Sequence, residues 1–221
     1  MEFLLDREPT IAPAKGIFLD VTYRMHPDVC RFISGAIYDS RLHSAASTLE
    51  RRLILDSSAH PALLPTGIRY FPISHDACSQ RSEEEASAVR DIVESLLTQR
   101  YRDGEGSEHP FTVDNILVVA PFNMQVNLLK RFLPKGARVG TVDKFQGQEA
   151  EVVIVSMATS SAEYLPRNLV FLFSKNRINV AVSRAKCLSV VIFSPKLLNL
   201  RCKSPAEMAL VNTFAYLRGE N

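Results

Sequence analysis

Three runs of apolar residues in the second half of the chain place the strongest constraint on its fold. They are NILVVAP at 115–121, EVVIVSMA at 151–158 and LSVVIFSP at 188–195. A strand that is buried on both faces forms such a continuous run, whereas a strand with one solvated face alternates apolar and polar residues. Segments with helical spacing, such as FNMQVNLLKRFL at 122–133, separate the runs. We therefore expect an α/β fold, a doubly wound and mainly parallel sheet with helices on both faces.

The remaining segments complete a single domain. We expect strands in IFLDV (17–21), GIRYFPIS (67–74) and ARVGTVDKF (137–145), and helices that begin at Pro27, begin after Ser82, cover NRINVAVSRAK (176–186) and close the chain over 196–218. Proline suits the first helical turn, and a serine hydroxyl suits the N-cap. We expect residues 1–17 to form an irregular lead-in, residues 39–66 a surface excursion and residues 102–110 a flexible loop. The 221 residues are enough to bury a substantial core as one domain.

The distribution of charge is more informative than the net charge of +2, which is too small to indicate a partner. No acidic residue lies between Glu163 and Glu207. The basic residues of that interval are Arg167, Lys175, Arg177, Arg184, Lys186, Lys196, Arg201 and Lys203. Such a segment is typical of a surface that faces an anion. A solvated face balanced by acids from elsewhere, such as Glu83–Glu85, explains the same pattern.

The cysteines and the hydropathy indicate a cytoplasmic protein that does not enter a membrane. The four cysteines are far apart and do not have the spacing of metal ligands, so we expect reduced thiols and no metal site. The N-terminal MEFLLDREPT lacks the basic and apolar regions of a signal peptide. No apolar run approaches the roughly 18 residues that a membrane-spanning helix needs.

Four segments place polar residues where packing does not require them. They are DVTYRMHP (20–27), VVAPFNMQ (118–125), GTVDKFQGQEAEVVIVS (140–156) and FLFSKNRINVAVSRAK (171–186). Parallel α/β sheets bind ligands at the carboxyl ends of their strands, and helix starts offer free N–H groups to phosphates. For the first segment, the alternative is that Tyr23 belongs to the core and Arg24 to a surface salt bridge. For the third, the alternative is a polar connection between two strands.

The fourth segment sets arginines among apolar residues. On one continuous helix, Arg177, Ala181 and Arg184 share a face, and the alanine allows close approach to the sheet. Such a helix would hold arginine rigidly at a sheet edge. For Arg177, two roles are open: contact with phosphate, or a pair with an acid such as Glu149.

These segments resemble the motifs of the second, C-terminal RecA-like domain of superfamily 1 helicases of the 5′→3′ type. YRMHPDVCRFISGAIYDSRL is similar to the family's tyrosine–arginine segment, TVDKFQGQEAEVVIVS to its motif V and NRINVAVSRAK to its motif VI. The motifs occur in the family's order and cover residues 18–195. Residues 165–187 most resemble bacterial chains in which such a helicase follows a RecB-like nuclease domain. The resemblance implies a RecA-like fold of the P-loop NTPase type.

The resemblance also implies a site for ATP, which in this family lies between two RecA-like domains. Arg184 matches the arginine finger that reaches the γ-phosphate, and Arg24 matches a second arginine on the phosphates. Tyr23 matches the aromatic residue near the base or sugar. The motif V positions that link the nucleotide to the nucleic acid match Gln146, Gly147 and Glu149.

Contacts with single-stranded DNA, or with RNA, are implied in the same way. The matching positions are Pro121, Phe122, Asn123, Thr141 and Val142. Contacts with the sugar–phosphate backbone give affinity without sequence readout, as a translocating motor needs.

The chain lacks half of the machinery that this family uses. No G-x-x-x-x-G-K-[ST] sequence and no D-E-A-x sequence occurs in it. The phosphate loop and the Mg²⁺ ligands are therefore expected on a first RecA-like domain of the same polypeptide. We expect the C-terminal motor domain of an ATP-dependent DNA helicase, inactive as an isolated chain. The alternatives are a non-enzymatic module that binds nucleic acid or another helicase, and an unrelated α/β nucleotide-binding protein, which would need its own glycine loop.

Overall fold

The structure, a computed structural model, describes residues 16–161, 163, 172, 174–199, 202, 204, 205, 208, 211, 212 and 214. In chain order the strands are β1 (Val21–Thr22), β2 (His43–Ser44), β3 (Arg52–Ile54), β4 (Gly67–Pro72), β5 (Arg100–Arg102), β6 (Glu108–Pro110), β7 (Ile116–Val119), β8 (Arg138–Gly140), β9 (Ala150–Ser156) and β10 (Ala185–Phe193). The α-helices are α1 (Pro27–Ile37), α2 (Glu83–Leu96), α3 (Asn123–Phe132) and α4 (Lys175–Val182). Short 3₁₀ turns lie at Ala46–Thr48, Val113–Asn115, Val142–Phe145 and Pro195–Leu198.

A five-stranded sheet forms the centre of the fold, with the strand order β4-β10-β9-β7-β8. All four pairs of neighbouring strands are parallel. Two smaller sheets accompany it: β1 pairs with β2 in parallel, and β3, β5 and β6 form an antiparallel sheet. The predicted α/β fold with a mainly parallel sheet is confirmed.

Each face of the central sheet carries a hydrophobic core. Along β9, Val153 and Val155 belong to a cluster with buried residues of α1 and α4. Val152 and Ile154 belong to a second cluster with α2 and α3. All four side chains are at most 3% exposed, so both faces of the strand are buried. This burial explains why β7, β9 and β10 have continuous apolar sequences, and it confirms helices on both faces.

The two predicted helix starts are confirmed. Pro27 is the first residue of α1, where its missing N–H group costs no hydrogen bond. The Ser82 hydroxyl caps α2 and accepts a hydrogen bond from the Glu85 N–H group at 3.1 Å. Three acidic residues follow in the first turn, where the helix dipole favours negative charge.

The sequence suggests a flexible loop at residues 102–110, but in the structure these residues belong to a β-hairpin. They contain the end of β5 and the whole of β6, which pair in antiparallel register. Asp103 closes the turn, because its Oδ1 accepts hydrogen bonds from the N–H groups of Glu105 and Ser107, each at 2.9 Å. An aspartate side chain that accepts hydrogen bonds from the backbone a few residues later is typical of a tight turn. Asp103 therefore favours an ordered turn over a flexible loop.

Part of the segment at 39–66 is also more ordered than a surface excursion. Within it, β3 pairs with β5, and Leu53 and Leu63 are 2% and 6% exposed. Both leucines belong to the core cluster on the α2 and α3 side. Because the segment is mostly polar, its sequence did not indicate that these two leucines are buried.

Two predicted strands are shorter than their sequences indicated. In the IFLDV segment, regular pairing is limited to β1, Val21–Thr22. In ARVGTVDKF, β8 ends at Gly140, and Val142–Phe145 form a 3₁₀ turn instead.

The segment NRINVAVSRAK is not one helix. α4 ends at Val182, and β10 begins three residues later at Ala185. The Ala150 N–H group donates to the carbonyl oxygen of Arg184 at 3.1 Å, so pairing with β9 has already begun there. Arg177 and Arg184 therefore do not share a helix face. Short apolar segments fit both periods, and here the sheet ladder prevails over the helical pattern.

Some expectations fall on residues that the structure does not describe. These are the lead-in up to residue 15, most of the expected helix over 196–218, and residues 165–171 of the segment that resembles nuclease-linked helicases. Among the described residues, no helix is both long enough and apolar enough to cross a membrane. All four cysteines are free thiols.

Candidate functional site

Charged side chains gather where β9 and β10 begin. The two strands are parallel neighbours, and Ala150 lies level with Ala185. Glu149 immediately precedes β9, Arg184 immediately precedes β10, and Lys186 is the second residue of β10. The register of the sheet thus brings the middle of the motif V segment next to the end of the motif VI segment.

Arg24 reaches the same place from a distant part of the chain. Its Nε donates to Glu149 Oε2 at 2.6 Å, and its Nη1 donates to the Ser183 carbonyl oxygen at 3.2 Å. Two residues later, the His26 N–H group donates to the Lys186 carbonyl oxygen at 2.8 Å. These bonds hold the tyrosine–arginine segment across the starts of both strands. The guanidinium of Arg24 is thereby fixed in orientation.

Arg184 is the unsatisfied member of the site. Its Nε is buried and has no hydrogen-bond partner among the described residues. Burial lowers the pKa of its guanidinium, the neighbouring Arg24 lowers it further, and Glu149 opposes the change. A guanidinium in this state lacks the anion that its burial requires, and a phosphate oxygen would supply it.

Tyr23 directly precedes Arg24 in the chain and is exposed, with 72% of its surface accessible. The idea that Tyr23 belongs to the core is therefore wrong. The other half of that alternative is correct in part, since Arg24 does form a salt bridge, with Glu149. An exposed aromatic ring offers a surface on which a base or sugar can pack.

The remaining motif V candidates lie on the loop that leads to Glu149. Gly147 has a φ of 81°, in the left-handed region where a side chain would be strained. Gln146 is exposed. Among the described residues, Glu149 is the motif V candidate that contacts an arginine of the site. Arg177 lies on the other side of this loop, with Nη1 4.0 Å from Asp143 Oδ2.

The predicted nucleic-acid contacts come together at the opposite end of the sheet. Pro121–Asn123 follow β7, and Thr141 and Val142 follow β8. These strands are parallel neighbours, and the Ala120 N–H group donates to the Gly140 carbonyl oxygen at 3.1 Å. The side chain of Phe122 is only 6% exposed, so contact there is limited to its main chain.

The rule that ligands lie at the carboxyl ends of strands thus applies to these two turns only. Arg24 and Arg184 lie at the amino ends of β9 and β10. The loop over residues 141–149 connects the two ends, since it starts after β8 and finishes at β9.

Sequence reasoning missed Lys186 and Glu151. The Lys186 Nζ lies 3.3 Å from Glu149 Oε1 and 3.1 Å from Glu151 Oε1. We call Lys186, Glu149 and Glu151 the lysine clamp. The signal was present in the sequence: two acids two residues apart at one strand start, and two bases two residues apart at the next. Side chains at that spacing share one face of a strand.

A buried polar network at the carboxyl end of β9 was also missed. Glu85 and His75 have side chains that are 0% exposed, with His75 Nε2 and Glu85 Oε1 2.9 Å apart. Glu85 Oε2 accepts hydrogen bonds from the Ser156 hydroxyl at 2.6 Å and from the Ala158 N–H group at 2.9 Å. His75 Nδ1 lies 2.7 Å from the Ser160 hydroxyl. The partners come from three segments of the chain, so no local pattern predicts them.

This network also answers the question of whether Glu83–Glu85 balance the basic interval. Glu85 is engaged by His75, and Glu83 lies 3.8 Å from an Arg81 nitrogen. Arg24 and Lys186, at the strand starts, are met by Glu149 and Glu151 instead.

Comparison with known proteins identifies the family to which the chain belongs. The AAA domain family matches residues 2–196. DNA polymerase alpha-associated DNA helicase A of Schizosaccharomyces pombe is 33% identical over 178 residues, which cover 76% of this chain and 26% of that protein. Its namesake in Saccharomyces cerevisiae is 30% identical over 219 residues, covering 90% of this chain and 31% of the relative.

A further relative is the Regulator of nonsense transcripts 1 homolog of Drosophila melanogaster, 29% identical over 188 residues, or 81% of this chain and 15% of that protein. The chain thus spans less than a third of the length of each of these relatives. The chain belongs to the AAA domain family, and the domain that it forms is of the superfamily 1 helicase type.

Proposed function

We propose that this chain is the C-terminal motor domain of an ATP-dependent helicase that acts on single-stranded DNA, with RNA as a possible second substrate. The observation that carries the proposal is the buried Nε of Arg184, which lacks a partner among the described residues beside a second, oriented arginine. Glu149 pairs with Arg24 and not with Arg184, which leaves a guanidinium beside this pair that can bind an anion of high charge. A triphosphate has that charge.

In this proposal the arginines divide the work. Arg24 is held by Glu149 and by the Ser183 carbonyl oxygen, so it is oriented before the nucleotide binds. Arg184 is left to meet the charge that develops on the transferred phosphoryl group. Tyr23, exposed beside them, packs against the base or sugar.

The turns at the carboxyl ends of β7 and β8 would bind the sugar–phosphate backbone. Main-chain N–H groups and the side chains of Asn123 and Thr141 are the polar groups there. The loop over 141–149 would connect this contact to Glu149, and so to Arg24. One loop that touches both sites gives a direct route by which hydrolysis and translocation are coupled.

The proposal includes a first RecA-like domain that carries the glycine loop and the Mg²⁺ ligands. Among the described residues, no three His, Cys, Asp or Glu side chains are grouped closely enough to hold a metal ion. Mg²⁺ therefore enters no step that we derive for this chain. Translocation in the 5′→3′ direction and an attached RecB-like nuclease domain are further parts of the proposal, and both rest on the motif resemblance.

The full-length polypeptide is expected to hydrolyse ATP only when single-stranded DNA is added, and the 221-residue chain alone is expected not to hydrolyse it. The reason is that the chain has no G-x-x-x-x-G-K-[ST] loop to hold the β- and γ-phosphates. The measurement is phosphate release with and without oligo(dT), for both proteins. Robust turnover by the isolated chain, or binding of DNA without any turnover by the full-length protein, contradicts the proposal; the latter result favours a non-enzymatic module.

Replacement of Tyr23 by alanine is expected to raise the KM for ATP of the full-length protein about tenfold, because stacking on an aromatic ring contributes roughly 1–3 kcal/mol per base. The value of kcat should change less, since Tyr23 contacts no transferred phosphoryl group in this proposal. Tyr23→Phe keeps the ring and serves as the control, with a KM near that of the wild type. A KM unchanged in Tyr23→Ala contradicts the nucleotide-packing role.

A further inference from the structure

Within the lysine clamp, Glu149 faces two cations at once. Glu149 uses Oε2 to accept from Arg24 and Oε1 to face Lys186, so both of its oxygens are occupied by cations. These two cations outweigh the effect of burial and keep the pKa of the Glu149 carboxyl below its usual range. The carboxylate is therefore charged and held in place from two sides.

Lys186 is itself held from the opposite side. Its second partner, Glu151, has a side chain that is 11% exposed and accepts a hydrogen bond from Asn115 Nδ2 at 3.0 Å. Burial alone would lower the pKa of the Lys186 ammonium, but Glu151 and Glu149 together raise it. The main chain of Lys186 is fixed as well, since its carbonyl oxygen accepts from the His26 N–H group. The ammonium thus has little freedom to leave its two carboxylates.

Arg184 competes for the same acid. The two residues are neighbours across the strand starts, because the N–H group of Ala150, the residue after Glu149, donates to the Arg184 carbonyl oxygen at 3.1 Å. Glu149 also raises the pKa of the Arg184 guanidinium, although no salt bridge joins them in the described part of the chain. A carboxylate released from Lys186 would have a free oxygen and a neighbouring guanidinium whose Nε lacks a partner. Charge-assisted hydrogen bonds are strong, so an internal Glu149–Arg184 pair would form readily.

We propose that Lys186 is a positioning residue that retains Glu149 on Arg24 and thereby keeps Arg184 available for phosphate. This inference rests on the proposed function, because it takes Arg184 as the phosphate-binding group. The clamp prevents an internal ion pair that would occupy the arginine. Lys186 itself touches no substrate in this arrangement.

The test uses the full-length polypeptide with Lys186→Gln combined with Glu151→Gln. The pair is chosen because Lys186→Gln alone leaves the nearly buried Glu151 without its cation and risks unfolding. We measure the rate at which phenylglyoxal modifies Arg184 in the nucleotide-free protein, read by mass spectrometry, and the kcat of DNA-stimulated ATP hydrolysis. Both are expected to fall about tenfold, as when a charge-assisted hydrogen bond occupies a guanidinium.

The decisive variant adds Glu149→Gln to that pair. A neutral amide does not capture Arg184, so the modification rate is expected to return to within about threefold of the wild type. The modification rate alone is the readout for this variant, because Glu149 also holds Arg24 and its loss affects kcat separately. A merely structural role for Lys186 predicts a further loss with the third substitution. The control is Lys130→Gln, which removes one positive charge from the exposed end of α3 and should behave as the wild type.

The outcomes separate this inference from the proposed function. If Arg184→Ala is inactive but Lys186→Gln/Glu151→Gln turns over and is modified like the wild type, the clamp has no positioning role and the phosphate site stands. If adding Glu149→Gln gives no recovery, the capture of Arg184 is excluded. If Arg184→Ala hydrolyses ATP normally, the proposed function fails independently of the clamp.

Discussion

Replacement of Arg184 by alanine is expected to lower the kcat of ATP hydrolysis by the full-length polypeptide about 10³- to 10⁵-fold, the effect of removing an arginine that stabilises phosphoryl transfer. The affinity for ATP should fall much less, because Arg24 and Tyr23 stay in place and the glycine loop of the proposed first domain is unaffected. The physical reason is the position of Arg184 in the structure. Its guanidinium is partly desolvated beside another cation and gains most from the charge that develops in the transition state. Single-turnover hydrolysis and equilibrium binding of a non-hydrolysable analogue measure the two effects separately.

Two further variants identify the role of the guanidinium. Arg184→Lys retains the positive charge but loses the planar, bidentate fork, so we expect most of the loss to remain. Arg131→Ala removes an arginine from the last turn of α3, where the residue is exposed, and should leave kcat unchanged. Hydrolysis at the wild-type rate in Arg184→Ala would refute the assignment. An equal loss in Arg131→Ala would show that the effect is one of general charge.

The central sheet could be predicted because its strands are buried on both faces. Val152 and Ile154 serve one core and Val153 and Val155 the other, so β9 has no polar face to interrupt its sequence. The same property caused the error at motif VI. INVAV is apolar enough for either element, and only the pairing of Arg184 with β9 decides where the helix ends and the strand begins. Sheet pairing is a long-range interaction and leaves little trace in a local pattern.

The site was predictable to the extent that single motifs carry it. Arg24, Glu149 and Arg184 stand in three recognisable segments, and the structure brings them together. Lys186 was not predicted, because its role depends on the register that sets β10 beside β9. Lys186 lies two residues after Arg184, and this spacing is informative only when both residues are known to lie at the start of a strand.

Replacement of Glu85 by alanine is expected to destabilise the isolated chain by about 3–5 kcal/mol, which is the usual cost of removing one member of a buried, hydrogen-bonded pair. The carboxylate holds His75 through one oxygen, and Ser156 and the Ala158 N–H group through the other. His75, Ser156 and the Ala158 N–H group would each lose a hydrogen-bond partner in a fully buried place. Urea unfolding followed by circular dichroism gives the free energy of unfolding.

Glu94→Ala provides the matched control, since Glu94 lies on the same helix but is exposed, and a change within about 0.5 kcal/mol is expected. Glu85→Gln should fall between the two variants, because an amide can replace part of the bonding but carries no charge. The backbone beside this network is also held under constraint: Ala158 has a φ of 63°, a left-handed conformation that alanine adopts only where the surrounding structure enforces it. The hydrogen bond from its N–H group to Glu85 is one such constraint, so its loss should also release the segment that follows β9. We expect faster hydrogen exchange over residues 156–160 in Glu85→Ala and no change there in Glu94→Ala. If Glu85→Ala lowers the free energy of unfolding by less than about 1 kcal/mol, the network contributes little to stability.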